Sequence, residues 1–184
     1  MTTTTVDVPT PDGTADALLV TPDRGGPHPA VLLYMDAFGV RPRLQQMAER
    51  IAAQGYVVLV PNVFHRAGRA PVVDLVDLMA PENRPSMLET LGPHLGAATT
   101  AAEVYVSHAD GDSSATSEQQ ERLESALTSA GVTHRTELYA GASHGFTMTD
   151  TAAYSAEAEQ RHRTELLALL DRTSGRPVLG RRIP

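Results

Sequence analysis

Polar side chains that could take part in catalysis follow each of the four buried strands that the sequence predicts. They are, in chain order, Asp36, His65, Arg66, His108, Asp110, Asp112, Ser143 and His144. Because the carboxyl ends of parallel strands meet at one edge of an open sheet, we expect these residues to surround one site. An aspartate that holds a neutral histidine makes the ring a general base near neutral pH. The clusters contain several aspartates and histidines that could form such a pair.

Each of these residues also has a structural interpretation. Asp112 could cap the helix that follows it, and His144 could hydrogen-bond a loop carbonyl. Asp110 could be a turn residue, and His108 could lie at a strand end with its ring nitrogens hydrogen-bonded within the protein. The seven histidines show neither H-x-x-x-H nor H-E-x-x-H spacing, so the sequence predicts no metal site and no cofactor. Four clusters of acids, histidines and an arginine at successive strand ends nevertheless favour a functional site over ordinary solvent-exposed loops.

The elements that must position these residues alternate between strand and helix. The predicted strands lie at 3–8, 15–21, 29–35, 56–60, 102–110 and 134–140, and the predicted helices at 43–55, 116–130 and 150–171. The first two strands form a hairpin, and the continuous apolar runs at 29–35 and 56–60 predict strands buried on both faces. The alternation predicts an α/β fold, with a mostly parallel sheet of about six strands and helices on both faces.

Local signals support the helices. Leu44, Met47 and Ile51 fall at helical spacing and predict the buried stripe of the first helix. Thr116 followed by Gln119 fits a capping box at the start of the second helix.

The composition bounds the class of protein. The chain has 184 residues, 41% of them hydrophobic, which suits a single domain over 1–172 with a flexible tail at 173–184. Its net charge of −7 argues against a nucleic-acid partner. The absence of cysteine excludes disulfides, thiolate metal sites and a cysteine nucleophile, and the absence of lysine excludes Schiff-base chemistry. With neither a signal pattern nor a membrane-spanning run, the chain is predicted to be cytoplasmic and to have no membrane partner.

Two blocks of the chain resemble the dienelactone hydrolases, a branch of the α/β-hydrolase fold. The first block, 25–68, contains YMDAFGV and PNVFHRAG. The second block, 102–148, contains HADGDSS and AGASHGF. Together the blocks cover most of the chain, so the resemblance implies a shortened α/β-hydrolase fold.

The resemblance also implies roles for individual residues. Asp112 matches the acid of the family's catalytic triad, His144 matches its base, and Asp36 lies where many members place a residue that contacts the nucleophile. The expected substrate-binding residues are Arg66, which matches a carboxylate binder, Ala37, whose N–H matches an oxyanion-hole donor, and Phe38, His65 and His108. An arginine beside the site suits a small substrate that is anionic or bears a carbonyl group.

The family's nucleophile elbow is not recognisable in this sequence. The elbow is a G-x-C-x-G or G-x-S-x-G turn between a strand and a helix. Residues 69–102 hold neither motif, and the length of 61–102 suits a single crossover with a lid-like helical insert at about 66–100. The match to G-x-S-x-G at 141–145 contains His144 itself and is not followed directly by a helix, so it is interpreted as the histidine loop.

Three classes of function stay open. The resemblance implies an enzyme that hydrolyses small esters or lactones, with its chemistry resting on the Asp112–His144 pair because no nucleophile is recognisable. The second class is a non-hydrolytic acid/base enzyme, such as a cyclase, an isomerase or a lyase. The third is a catalytically inactive binding protein. A missing strand segment would also shrink the core and expose apolar edges, so we expect a homodimer.

Overall fold

The computed structural model describes residues 1–36, 38–72, 103–112 and 115–173. The chain divides into two compact units, Met1–Ala98 and Thr99–Pro184. Each unit has a sheet of its own in the described residues. The prediction of a single domain over 1–172 stays a prediction.

A four-stranded sheet forms the framework of the N-terminal unit. Its strands are β1 (Thr2–Thr10), β2 (Gly13–Thr21), β3 (Ala30–Leu32) and β4 (Val57–Pro61), in the order β1-β2-β4-β3. β1 and β2 form the predicted hairpin, and both strands extend to its turn. β2 pairs antiparallel with β4, whereas β3 pairs parallel with β4.

The first predicted buried strand is shorter and more exposed than the apolar run at 29–35 indicates. Only Ala30–Leu32 forms β3, and Ala30 and Leu32 are both exposed. β3 is the last strand in the order of its sheet, so among the described residues of this unit it pairs with β4 alone. An apolar run therefore does not establish that a strand is covered on both faces.

The core of the N-terminal unit lies between the sheet and one helix, α1 (Pro42–Ala52), which contacts β2 and β4. Leu44, Ala48 and Ile51 form its buried stripe. The stripe was predicted with Met47, which is only half-buried because the helix turns Ala48 toward the sheet instead.

The C-terminal unit has two parallel strands, β5 (Glu103–Ala109) and β6 (Thr133–Tyr139), whose ends are in register. The helix α2 (Ser117–Ser129) connects them, and the predicted capping box of Thr116 and Gln119 is confirmed at its start. The last helix, α3 (Ala156–Thr173), begins later than predicted. Consecutive turns from 143 to 154 take up the backbone hydrogen bonds before it, such as that from the Met148 N–H to the Gly145 carbonyl.

The described elements confirm an α/β fold with six strands. The four-stranded sheet is mixed, with two antiparallel pairings and one parallel pairing, whereas the two strands of the other sheet pair parallel. Most of the expected lid-like insert at 66–100 and of the tail at 173–184 lies outside the described residues; Thr173 itself ends α3.

No helix in the described ranges is long and apolar enough to cross a membrane. Leu32, Tyr34 and Leu138 are large apolar side chains that are exposed, and the homodimer stays a prediction.

Candidate active site

Asp112 and His144 meet at the carboxyl ends of the two parallel strands of the C-terminal unit. The Nδ1 atom of His144 lies 2.8 Å from Oδ2 of Asp112. Asp112 follows β5 and its side chain is only 6% exposed, whereas His144 follows β6 and its side chain is 69% exposed. The structure thus brings together the two residues that the sequence singles out as the catalytic pair.

The contact sets the chemistry of the imidazole. A carboxylate only accepts hydrogen bonds, so Nδ1 of His144 donates its proton to Asp112. In the neutral ring the lone pair then lies on Nε2, on the side of the ring away from Asp112. A buried carboxylate behind the ring also stabilises the imidazolium that forms when Nε2 takes a proton. The pair has the geometry of a general base that is open to solvent.

Two buried aromatic rings stack on each other at the two ends of the loop that carries His144. Tyr139 ends β6, and its ring stacks on that of Phe146 with centroids 4.9 Å apart. Both side chains are buried, in a cluster with Ala109 and Ala142. The stacked rings consequently anchor both ends of the loop, and the exposed His144 imidazole lies between buried neighbours.

A network of polar side chains joins Tyr139 to the neighbouring strand. The Tyr105 hydroxyl donates to Oε2 of Glu137 at 3.0 Å and lies 2.7 Å from the Tyr139 hydroxyl. Burial, together with the hydrogen bonds to Tyr139 and Glu137, raises the pKa of Tyr105 far above its usual range. Burial also raises the pKa of Glu137, but the Tyr105 hydroxyl and the guanidinium groups of Arg135 and Arg161 outweigh it and lower the pKa overall. Tyr105 therefore stays neutral and Glu137 stays charged near neutral pH.

His162 on α3 packs against the same rings. Its centroid lies 5.9 Å from that of Tyr105 and 6.2 Å from that of Phe146. Its Nδ1 atom is buried and has no hydrogen-bond partner among the described residues. Burial lowers the pKa of His162, and the nearby Glu159 carboxylate opposes this shift only in part.

The lowered pKa of His162 predicts a loss of stability in acid. As the pH falls below about 6.5, the ordinary value for histidine, the unfolded chain takes up this proton before the folded chain does. The contribution to stability is complete above that pH and is lost as the pH falls toward the lowered pKa. We expect His162→Phe to reduce the fall in unfolding free energy between about pH 8 and pH 5.5, measured by urea denaturation. An equal fall in variant and wild type would contradict the assignment.

Asp36 organises the loop after β3 in the N-terminal unit. Its Oδ1 and Oδ2 atoms accept from Arg41 at 2.6 and 3.0 Å, and Oδ1 also accepts from the Phe38 N–H at 2.9 Å. The Arg41 guanidinium is buried and lies 5.2 Å from the centroid of the Phe38 ring. Asp36 is thus held by an arginine, and its predicted contact with a nucleophile stays a prediction.

His65 and Arg66 turn toward the tip of the N-terminal hairpin. Arg66 forms an ion pair with Asp12, and Nε2 of His65 lies 3.4 Å from the same carboxylate. A buried network holds the loop that carries them: Asn62 donates from Nδ2 to Oδ1 of Asp16 and to the Gly68 carbonyl, each at 2.9 Å. Arg66, the expected binder of a substrate carboxylate, therefore already has an anionic partner.

Asp16 has a lowered pKa because of this network. Burial raises the pKa, but the hydrogen bonds from the Asn62 side chain and the Ala70 N–H outweigh it. Asp16 therefore stays charged and continues to accept both hydrogen bonds well into the acid range.

The remaining predicted residues are placed as follows. Ala37 lies outside the described residues. His108 lies on β5, is half-buried, and has an Nε2 atom without a hydrogen-bond partner in the described part of the chain. Asp36, Phe38, His65 and Arg66 belong to the N-terminal unit, so their expected place beside the Asp112–His144 pair stays a prediction. Within the described ranges, no group of three or more His, Asp or Glu side chains could hold a metal ion.

Sequence reasoning missed the residues that support the site. Tyr105 and Tyr139 lie on two neighbouring strands, and the sequence of each strand alone does not predict that their hydroxyl groups meet. In the N-terminal unit, Arg41 and Asn62 hold the loops that carry Asp36 and His65, and neither was singled out from the sequence. The partner of Asn62, Asp16, is distant in sequence and could be found only by knowing that β2 pairs with β4.

Comparisons with known proteins identify the family of the chain. The model of the dienelactone hydrolase family matches residues 15–93 and 89–174. A protein of Synechocystis sp. named "Putative carboxymethylenebutenolidase" is 26% identical over 223 aligned positions, which take in 85% of this chain and 91% of the relative. A protein of the same name from Methylorubrum extorquens is 35% identical over 63 residues, and the match spans 34% of this chain and 22% of the relative.

The structural comparison points to the same fold. A crystal structure of a dienelactone hydrolase-like promiscuous phosphotriesterase from metagenomic libraries superposes with a TM-score of 0.72 at 18% identity, covering 93% of this chain and 98% of that one. At this identity the likeness establishes an α/β-hydrolase fold. The family match covers most of the chain. The chain therefore belongs to the dienelactone hydrolase family.

Proposed function

We propose that this chain hydrolyses small esters or lactones by activating water directly at the Asp112–His144 pair. The observation that carries the proposal is the 2.8 Å contact from Nδ1 of His144 to a buried Asp112 carboxylate, which leaves Nε2 as the reactive atom. Membership of the dienelactone hydrolase family supports hydrolysis of an ester bond as the reaction.

The reaction needs no covalent intermediate. Nε2 of His144 takes a proton from water while the water oxygen bonds to the acyl carbon of the substrate. The bond between the acyl carbon and the leaving oxygen then breaks, and the imidazolium returns its proton to that oxygen. Asp112 stays ionised and stabilises the positive ring between the two proton transfers. The products of a lactone are one carboxylate and one hydroxyl group on the same molecule.

Several observations support water, rather than a side chain, as the nucleophile. The chain has no cysteine, and its single G-x-S-x-G sequence contains His144 itself. The family model matches in two segments, 15–93 and 89–174, which overlap at 89–93. An alignment of 223 positions that takes in 85% of a 184-residue chain also contains long gaps in this chain. The gaps support a chain that is shorter than its relative, and residues 69–102, which hold neither elbow motif, support the loss of the elbow segment.

The test is hydrolysis of p-nitrophenyl acetate and of a simple enol lactone by wild type, His144→Ala and His134→Ala. We expect His144→Ala to fall to the uncatalysed rate, because it removes the base. His134→Ala is the matched control: this histidine lies at the opposite end of β6, where Nδ1 is 2.9 Å from the Val132 carbonyl oxygen. We expect it to keep the wild-type rate.

A serine-directed phosphonate completes the experiment. We expect no inactivation, because water is the proposed nucleophile; inactivation would assign the reaction to a serine instead. A wild-type protein that turns over neither substrate would contradict the hydrolase and favour the other two classes, a cyclase, isomerase or lyase, or a binding protein.

A further inference from the structure

A second contact joins the two loops that carry the catalytic pair. Oδ2 of Asp110 accepts a hydrogen bond from the Gly141 N–H at 3.1 Å. Asp110 directly follows β5 and lies two residues before Asp112; Gly141 follows β6 and lies three residues before His144. Side chains thus extend the pairing of β5 with β6 beyond the last backbone pair, Ala109 with Tyr139.

From this contact we propose that Asp110 is a positioning residue for His144. The inference rests on the proposed function, because it concerns the geometry of the same base. Asp110 is exposed, so the contact is not a requirement of the core. Its partner Gly141 has a φ of +73°, a conformation that L side chains rarely adopt, so the loop backbone takes a special path at the point where Asp110 holds it.

The contact acts on the loop between the buried rings of Tyr139 and Phe146. Ala142 and Phe146 are buried on either side of His144, but His144 itself is largely exposed. The orientation of its ring therefore depends on where the backbone between 140 and 144 lies. Fixing the Gly141 N–H to the loop of Asp112 sets the distance between the two halves of the pair. Displacement of a catalytic group by about 1 Å can cost up to about 100-fold in rate.

The variants separate the hydrogen bond from the charge. Asp110→Ala removes the acceptor, whereas Asp110→Asn keeps an acceptor oxygen at the same place and removes only the charge. Glu121→Ala on α2 is the control for loss of an exposed carboxylate in the same unit. We expect Asp110→Ala to lower kcat for p-nitrophenyl acetate by about tenfold with little change in KM, because the proposed role of Asp110 is to position His144 through Gly141 and not to bind the substrate. We expect Asp110→Asn and Glu121→Ala to stay near wild type.

A second readout does not depend on turnover. The ¹⁵N chemical shifts of the His144 ring report which nitrogen carries the proton at about pH 8.5, where an ordinary imidazole is neutral. We expect the Nδ1–H form in wild type and in Asp110→Asn, and a loss of that form in Asp110→Ala. The resonances are assigned by their absence in His144→Gln.

The two readouts distinguish failure of this inference from failure of the proposed function. If wild type does not hydrolyse esters but Asp110→Ala still changes the ring tautomer, Asp110 positions His144 and the proposed reaction is wrong. If Asp110→Ala leaves both kcat and the tautomer unchanged, the positioning role is wrong. An equal loss in Asp110→Asn and Asp110→Ala would also overturn it, because charge rather than the hydrogen bond would then be responsible.

Discussion

Asp112→Asn is expected to lower the hydrolysis of p-nitrophenyl acetate by about 10²- to 10⁴-fold without unfolding the protein. The amide cannot stabilise the imidazolium, because it carries no negative charge. Its NH₂ group can also donate to Nδ1 of His144, and the proton of the neutral ring then lies on Nε2. A ring protonated on Nε2 cannot accept a proton from water, so the base is lost although the side chain remains.

The measurement is kcat/KM for wild type and Asp112→Asn, with the far-UV circular dichroism spectrum and melting temperature of each. Glu121→Gln is the matched control, since it makes the same change from carboxylate to amide on the exposed surface of α2. It is expected to keep the wild-type rate. A loss smaller than about threefold in Asp112→Asn, in a folded protein, would mean that His144 works without its carboxylate.

The catalytic pair was predictable because it depends on local pattern and on one general rule. The alternation of strands and helices placed β5 and β6 in the sequence, and the carboxyl ends of neighbouring parallel strands lie at the same edge of a sheet. The register places Ala109 beside Tyr139, so the polar residues just beyond each end must lie near one another. That rule placed Asp112 and His144 near the same edge of a sheet, and the resemblance to the dienelactone hydrolases singled them out as the pair.

The partners of Arg66 and His65 were not predictable from the same information. Both contact Asp12, in the hairpin turn between β1 and β2. This meeting requires that β2, rather than another strand, pairs antiparallel with β4, with Ala17 opposite Pro61. The turn residues predict that β1 pairs with β2, but they do not predict which other strand β2 pairs with. Sequence reasoning thus placed Arg66 at a strand end correctly and could not see the carboxylate beside it.

Asp36 shows the same limit at shorter range. Arg41 is only five residues away, yet it was not singled out as a partner. The chain must turn sharply between β3 and α1 for the two side chains to meet, and that turn depends on tertiary packing. For β3 itself, the apolar run predicted a strand but not its position at the end of the sheet order. Local patterns therefore located the elements, and the pairing of elements decided contacts and exposure.

Tyr139→Ala is expected to destabilise the C-terminal unit by about 3–5 kcal/mol, the largest loss of stability that we expect from a single substitution here. The side chain is 2% exposed, and its ring is stacked on Phe146 and lies 4.2 Å from the Arg161 guanidinium carbon. Truncation leaves a cavity in the cluster that closes the His144 loop. It also removes the hydroxyl group that lies 2.7 Å from that of Tyr105. Activity should fall together with stability, because the same ring holds the loop of the base.

Tyr139→Phe separates the ring from its hydroxyl group. It keeps the stack on Phe146 and loses only one hydrogen bond, so we expect a cost of about 1 kcal/mol and nearly wild-type hydrolysis. Tyr154→Ala is the control for loss of an aromatic side chain, since Tyr154 is 37% exposed and is expected to cost less than about 1 kcal/mol. Urea denaturation followed by circular dichroism gives the three free energies. If Tyr139→Phe abolished activity while remaining folded, the Tyr105–Tyr139 hydroxyl pair, rather than the ring stack, would be what holds the catalytic loop.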